Sequence, residues 1–175
     1  AIARADRIVL PGVGAFGACA ANLRAVDGLE AALRSRVLDQ GAPFLGICVG
    51  MQLLAEQGEE LGQHRGLGWL PGAVRRLDPA GTDAKVPHMG WNDLAIVSPH
   101  PVLDGIATGD HAYFVHGYVC PDGPATLARA DYGGTVPAVV RKENRWGCQF
   151  HPERSARTGA QILRNFIELP ETAAC

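Results

Sequence analysis

A single α/β domain is what this sequence predicts, from three features: short runs of branched apolar residues that end in glycine turns, stretches of helical periodicity between them, and no repeat, low-complexity tract or linker dividing the chain. At 175 residues the chain is long enough to bury roughly 70% of the surface that its unfolded form exposes.

The first strand is expected at residues 7–10, where Arg7-Ile8-Val9-Leu10 is stopped by the loop Pro11-Gly12-Val13-Gly14. Residues 18–40 turn helical, as two helices broken near Asp27-Gly28, because Leu29, Leu33 and Val37 recur at a spacing of four. Gly41 ends them. The run Pro43-Phe44-Leu45-Gly46-Ile47-Cys48 reads as a second buried strand, with a helix over residues 51–56 starting directly after it. Beyond Gly66 the texture becomes that of a mixed sheet, with short strands expected near 73–77, 93–97, 112–119, 126–130, 138–142 and 146–150. A last helix is expected over 158–168, with Thr158 and Gln161 in capping-box spacing and Ala160, Leu163 and Ile167 on one face.

Composition removes several classes of function. With 47% apolar and 19% charged residues and no uninterrupted apolar stretch of about 18 residues, a membrane partner is not expected. The net charge of −2 comes with scattered Lys and Arg and no basic stripe, so nucleic acid is not an expected ligand either. Five cysteines, Cys19, Cys48, Cys120, Cys148 and Cys175, form an odd set without C-x-x-C pairs. That set predicts a reducing compartment, and with no charged-then-apolar leader the cytoplasm is the expected location. The histidines lack H-E-x-x-H or paired Cys/His spacing, so no metal and no cofactor are expected.

The chemistry is carried by two places. Cys48 ends a strand and is followed by Val49-Gly50 and a helix, the outline of a nucleophile elbow in which a helix N-terminus favours the thiolate. Taken alone, a cysteine in such a run is better explained as a buried structural residue, and it is the setting that reverses this. A thiolate that attacks an amide needs a histidine for proton transfer and an acceptor to orient that histidine. His151-Pro152-Glu153 supplies both in three residues. Leaving a strand in extended form, residues two apart point to one side, so Glu153 can hold the His151 ring. A lone histidine near a loop is otherwise a solvated side chain. For the tetrahedral oxyanion, Val49 N–H and the backbone of Gly12 and Val13 are the assigned donors, since one donor follows the nucleophile and the other comes from an adjacent loop. Isolated, that loop is a plain strand-ending turn.

Three blocks extend this reading: Leu10-Pro11-Gly12-Val13-Gly14-Ala15-Phe16-Gly17, Phe44-Leu45-Gly46-Ile47-Cys48-Val49-Gly50-Met51-Gln52-Leu53-Leu54 and Gly147-Cys148-Gln149-Phe150-His151-Pro152-Glu153. In content, order and spacing they resemble the signatures of class I, triad-type glutamine amidotransferases. Pro87-His88-Met89-Gly90-Trp91-Asn92 and Tyr113-Phe114-Val115-His116-Gly117-Tyr118 narrow the resemblance to the glutaminase subunits of imidazole glycerol phosphate synthase, and it covers nearly the whole chain.

The resemblance implies a flavodoxin-like fold, with a mostly parallel central sheet flanked by helices and a smaller antiparallel sheet. It implies L-glutamine as substrate and a (β/α)8-barrel cyclase subunit as partner, which takes the ammonia to form imidazole glycerol phosphate and an aminoimidazole carboxamide ribotide. Gln52 and Glu60 are implied in glutamine recognition, Gly12 and Gly14 in substrate binding, and His116, Gly117 and Tyr118 in the wall around the amino-acid end. Many relatives carry Ser where this chain has Gly117. Trp91, on composition a core aromatic, is implied to lie near the cyclase-facing surface, with Arg154 a second interface candidate. Relatives also carry a β-α unit of about 30 residues before residue 7. This chain opens without Met on Ala1-Ile2-Ala3-Arg4, so an N-terminally incomplete single domain over 1–175 is the expectation. The rival readings are another triad amidotransferase or a γ-glutamyl hydrolase, and, from a different class, a non-catalytic assembly or regulatory subunit.

Overall fold

A computed structural model describes residues 2–79 and 81–169. Ala1 and Cys175 lie outside them. The chain enters through β1 (Ile8–Gly12), which extends through the Pro-Gly pair to pair with the second strand. Helices α1 (Phe16–Ala25) and α2 (Leu29–Arg34) follow. They are separated near Gly28, whose φ of 70° is left-handed, so the predicted break holds. A π turn, Ser35–Asp39, completes α2. β2 (Phe44–Cys48) is buried at every position, as its unbroken apolar run requires.

The helix expected over 51–56 is a single turn instead, α3 (Val49–Gln52), and the chain goes directly into β3 (Ala55–Gly58). The cause is tertiary. The carbonyls of Leu53, Leu54 and Ala55 accept from the amides of Leu67, Trp69 and Gly68 at 2.7–3.0 Å, and bonds to an incoming strand replace the i→i+4 ladder. β4 (His64–Arg65) and β5 (Leu70–Arg76) pair with β3 to either side.

Next come β6 (His88–Asp93), β7 (Ala95–Ile96), β8 (His111–His116) and β9 (Tyr118–Val119). Of these, β6 was not expected: its buried positions are polar or glycine, so no apolar alternation marks it. β10 (Thr126–Asp131), β11 (Thr135–Lys142), β12 (Arg145–Cys148) and α4 (Ala156–Glu168) complete the chain.

The principal sheet runs β1-β2-β12-β11-β10-β7, with a four-stranded sheet β4-β3-β5-β9 and the pair β6-β8 beside it. Its β1-β2-β12 half is parallel and its β12-β11-β10-β7 half antiparallel. The parallel half brings the predicted site residues together, because β2 and β12 pair in parallel and their carboxyl ends, leading to Cys48 and His151, lie side by side. Trp146 on β12 packs edge-on against Phe166 of α4, and Phe44 of β2 against Trp69, at ring separations of 5.9 and 5.2 Å. Arg7 ties the sheet to the C-terminal end of α4, its Nε donating to the Phe166 carbonyl at 3.2 Å and its Nη2 to that of Leu169. A cation there also suits the helix dipole.

The face that α4 buries is not simply its apolar row. It buries Thr158, Gly159, Ile162, Asn165 and Phe166, while Leu163 is half-buried against the core, Ile167 is 63% exposed and Ala160 points outward. The buried face is chosen by fit. A Cβ on Gly159 would lie 1.9 Å from the Pro152 carbonyl oxygen, and Asn165 is satisfied inside by the carbonyls of Val102 and Asp104 at 3.0 and 2.8 Å. Nor is there a Thr158/Gln161 capping box, since the helix starts after Ser155. The Ser155 hydroxyl donates to the His151 carbonyl at 2.6 Å and accepts from Tyr113 N–H at 2.9 Å, which leaves it no role as a cap.

Candidate active site

Cys48 stands at the junction of β2 and α3 with φ 54° and ψ −112°, a left-handed conformation that costs a non-glycine residue on the order of 1–3 kcal/mol. Two glycines make the turn sterically possible. A Cβ on Gly46 would sit 2.3 Å from the Gly50 carbonyl oxygen, and one on Gly50 would sit 1.8 Å from that of Leu10, so elbow, helix turn and β1 pack backbone to backbone. Gly12 belongs to this packing: a Cβ there would meet Gly50 N at 3.0 Å. The loop beyond it bends through Gly14 at φ 101°, a turn only glycine makes without strain.

A cavity of about 210 Å³ opens over the elbow, lined by Val13, Gly14, Cys48, Val49, Gln52, Glu60, Val115, His116, Gly117, Tyr118 and His151. Every predicted catalytic and substrate residue is therefore in the wall except Gly12, which lies beneath it, and Glu153, which stands behind His151. Glu153 Oε1 is 2.8 Å from His151 Nδ1. A carboxylate can only accept here, so Nδ1 carries the hydrogen, and Nε2 is the nitrogen that holds the lone pair in the neutral ring. That Nε2 is buried without a hydrogen-bond partner among the described residues. Facing a cavity that holds a thiol, an unpartnered imidazole nitrogen is an available base.

The thiol itself differs from expectation. Burial pushes Cys48 up to about 11, and the nearby Glu153 charge pushes the same way, while hydrogen bonds from Val49 N–H and the Gln149 amide pull it down without prevailing. A one-turn helix supplies too little dipole to offset desolvation. Burial thus favours the protonated thiol at rest. Val49 N–H points at the sulfur, consistent with an oxyanion donor. Val13, which shares with Gly12 the other donor assignment, is 76% exposed at the rim, and its carbonyl is held by the Cys19 thiol at 3.3 Å.

Gln52 is 3% exposed and spends both amide N–H groups internally, on the Tyr118 carbonyl at 3.0 Å and Gln149 Oε1 at 3.1 Å. Its Oε1 is what it can offer a substrate. Glu60 Oε2 accepts from Phe16 N–H at 2.7 Å and so caps α1, whose own N-cap, Ala15, has no side-chain acceptor. His116 lines the wall, but its ring nitrogens are engaged by the Tyr118 carbonyl at 2.9 Å and by His88 at 3.1 Å. Gln149 was not anticipated. It is fully buried, and its Nε2 reaches Cys48 Sγ at 3.7 Å. Its one signal in the sequence is a polar residue set between the buried Cys148 and Phe150.

Outside the cavity Trp91 is 55% exposed and meets Tyr113 edge-on at 6.0 Å. The Arg154 guanidinium lies over that ring at 4.2 Å. Tyr113 thus gathers the two interface candidates into one patch. Among the described residues no group of three or more His, Cys, Asp or Glu is placed to hold a metal ion, and no helix is long and apolar enough to cross a membrane.

Comparison with known proteins shows the family of the chain. Residues 2–169 match the family described as glutamine amidotransferase class-I. The imidazole glycerol phosphate synthase subunit HisH of Ruegeria pomeroyi is 54% identical over 168 residues, covering 95% of this chain and 79% of the relative. The protein of the same name from Cereibacter sphaeroides is 52% identical, with the same two coverages. A crystal structure of a glutamine amidotransferase superimposes with a TM-score of 0.67 at 25% identity, covering 93% of this chain and 78% of that one.

Proposed function

Since this chain belongs to the class I glutamine amidotransferases, we propose that Cys48, His151 and Glu153 release ammonia from glutamine, as the glutaminase subunit of an imidazole glycerol phosphate synthase. The observation that carries the assignment is the pairing, in one cavity, of a strained elbow cysteine with a histidine whose Nδ1 is held by Glu153 and whose buried Nε2 is unpartnered. His151 Nε2 takes the Cys48 proton, and the sulfur attacks the side-chain amide carbon. The oxyanion is met by the N–H groups of Val49 and Val13. Collapse expels ammonia with the proton that His151 returns, leaving a thioester, and water then attacks the thioester with His151 as base to give glutamate. Glu60 supports recognition of the substrate ammonium, while Gln52 Oε1 and the backbone of Gly117 and Tyr118 orient its amino-acid end.

In this reading the described residues form one amidotransferase domain that works in the cytoplasm, and the ammonia passes to a cyclase subunit docked at the Trp91–Tyr113–Arg154 patch. The cyclase forms imidazole glycerol phosphate and the carboxamide ribotide. Cys48→Ala tests the assignment: the complex should lose all glutamine-dependent synthesis yet keep synthesis from added ammonium salts. Glutamine use that survives the substitution overturns it. Supplying other acceptor enzymes in place of the cyclase distinguishes a different triad amidotransferase, and glutamate release that needs no acceptor enzyme at all would indicate a γ-glutamyl hydrolase.

A further inference from the structure

A line of hydrogen bonds runs from the outside of β6 to the nucleophile. Asn92 Nδ2 donates to the Asp131 carbonyl at 2.8 Å and lies 3.3 Å from His88 Nε2. His88 Nδ1 is 3.1 Å from His116 Nε2, and His116 Nδ1 is 2.9 Å from the Tyr118 carbonyl. That carbonyl also takes the Gln52 amide, which in turn donates to Gln149 Oε1, and Gln149 Nε2 faces Cys48 Sγ.

The polarity of the line is forced. A carbonyl only accepts, so His116 carries its hydrogen on Nδ1 and presents a lone pair at Nε2. His88 must then donate from Nδ1 and accept at Nε2, which the second N–H of Asn92 supplies. Burial holds both imidazoles at about 4, so each is neutral at pH 7 and the scheme is self-consistent. His88 cannot turn away, because Phe114 and Tyr132 stack on it at 4.7 and 3.9 Å, with interplanar angles of 16° and 20°.

The last link matters most. The two ends of the Gln149 amide are nearly equal in size, and packing alone does not decide which one faces the sulfur. Turned over, it would aim a carbonyl oxygen at a developing thiolate. Gln52 prevents this, because both its N–H groups are drawn to acceptors, and the Tyr118 carbonyl keeps Gln52 in that sense. We propose that Gln149 is a catalytic residue that donates to the Cys48 thiolate, and that Asn92, His88 and His116, acting through Tyr118 and Gln52, are positioning residues that keep its donor end on the sulfur. The proposal rests on Cys48 being the nucleophile.

The test uses the complex with the cyclase and the variants Gln149→Leu, Asn92→Leu, His116→Leu and His116→Asn. Gln149→Leu should lower kcat for glutamine hydrolysis about tenfold while KM moves less than about threefold, the pattern of a contact that strengthens as the thiolate forms. Asn92→Leu and His116→Leu should lower kcat in the same sense by about threefold or more, and Asn92→Leu on top of Gln149→Leu should add nothing, as expected of coupled sites. His116→Asn, which keeps a donor for the Tyr118 carbonyl, should recover to within about twofold of the parent. Iodoacetamide alkylation of Cys48, which needs no glutamine, should slow in step with kcat in each variant, so the relay is tested even if glutamine proves not to be the substrate. Asn92 is only half-buried, and its variant covers the case in which His116→Leu does not fold. The proposal is overturned by unchanged kcat and alkylation in Asn92→Leu, by additive effects in the double variant, or by His116→Asn being as impaired as His116→Leu.

Discussion

A thiol at about 11 holds only about one thiolate in 10⁴ at pH 7. Attack on an amide therefore depends on a base within the same cavity, and His151 Nε2 is the one free to act. This has a direct pH consequence. The group lies well above the working range, so raising the pH increases the thiolate fraction without saturating it: alkylation of Cys48 in the free chain should rise about tenfold per unit from pH 7 to 9 with no plateau. A plateau below pH 8 would mean that a thiolate–imidazolium pair already exists at rest. Glu153→Gln tests the partner residue. The amide oxygen can still accept from Nδ1–H but stabilises the imidazolium less, so kcat should fall about ten- to a hundredfold with little change in KM. Inactivity as complete as that of Cys48→Ala would show that Glu153 does more than orient and stabilise the ring. The convergence of Cys48, His151 and Glu153 on one cavity was legible in the sequence because His151 and Glu153 sit two residues apart and Cys48 sits in an elbow pattern, both local features. Gln149 was not, because its partners, Gln52 and Cys48, are about a hundred residues away in the chain.

At the scale of elements, what was legible followed apolar periodicity, and what was not followed polar burial. β2, with its unbroken apolar run, and the break at Gly28 were readable for that reason. The alternation in β6 places His88 inward and Met89 and Trp91 outward, but its inner residues are polar and hydrogen-bonded, so no hydropathy pattern reveals the strand. The inner face of α4 escapes an apolar pattern for the same cause. Asn165 and Thr158 are buried there, and Gly159 marks the closest approach. Gly159→Ala makes this measurable. Alanine would favour the helix by about 1 kcal/mol, but its Cβ would lie 1.9 Å from the Pro152 carbonyl oxygen, and no rotamer relieves a backbone contact. Overpacking on the order of 1–3 kcal/mol should prevail, lowering the melting temperature by several degrees and lowering glutaminase activity as well, because Pro152 and Glu153 must shift. An unchanged or higher melting temperature would show that α4 slides at no cost and that the turn holding Glu153 is soft.

Across the whole molecule, the β6-β8 pair joins the cavity to the outer surface. β8 and the turn after it supply Val115 and His116 to the cavity wall, while Tyr113 on the same strand carries Trp91 and Arg154 on its exposed side. Tyr113 also fixes the triad segment directly, because its carbonyl accepts from His151 N–H at 2.9 Å and its N–H donates to Ser155. A partner seated on this patch would thus press on a strand bonded to the residue that carries the base. An exposed indole beside a tyrosine and an arginine has the composition of an interface hot spot, where truncation typically costs about 2 kcal/mol or more, roughly a thirtyfold change in affinity. Trp91→Ala should weaken binding to the cyclase by at least that factor by calorimetry. The melting temperature of the isolated chain should stay within about a degree, since a half-exposed side chain contributes little to the core. Arg154→Ala should weaken binding less, because its guanidinium already rests on the Tyr113 ring and is partly satisfied within the chain. If Trp91→Ala binds as the parent does while the chain's own stability falls, the indole serves β6-β8 packing and the docking surface must be sought elsewhere.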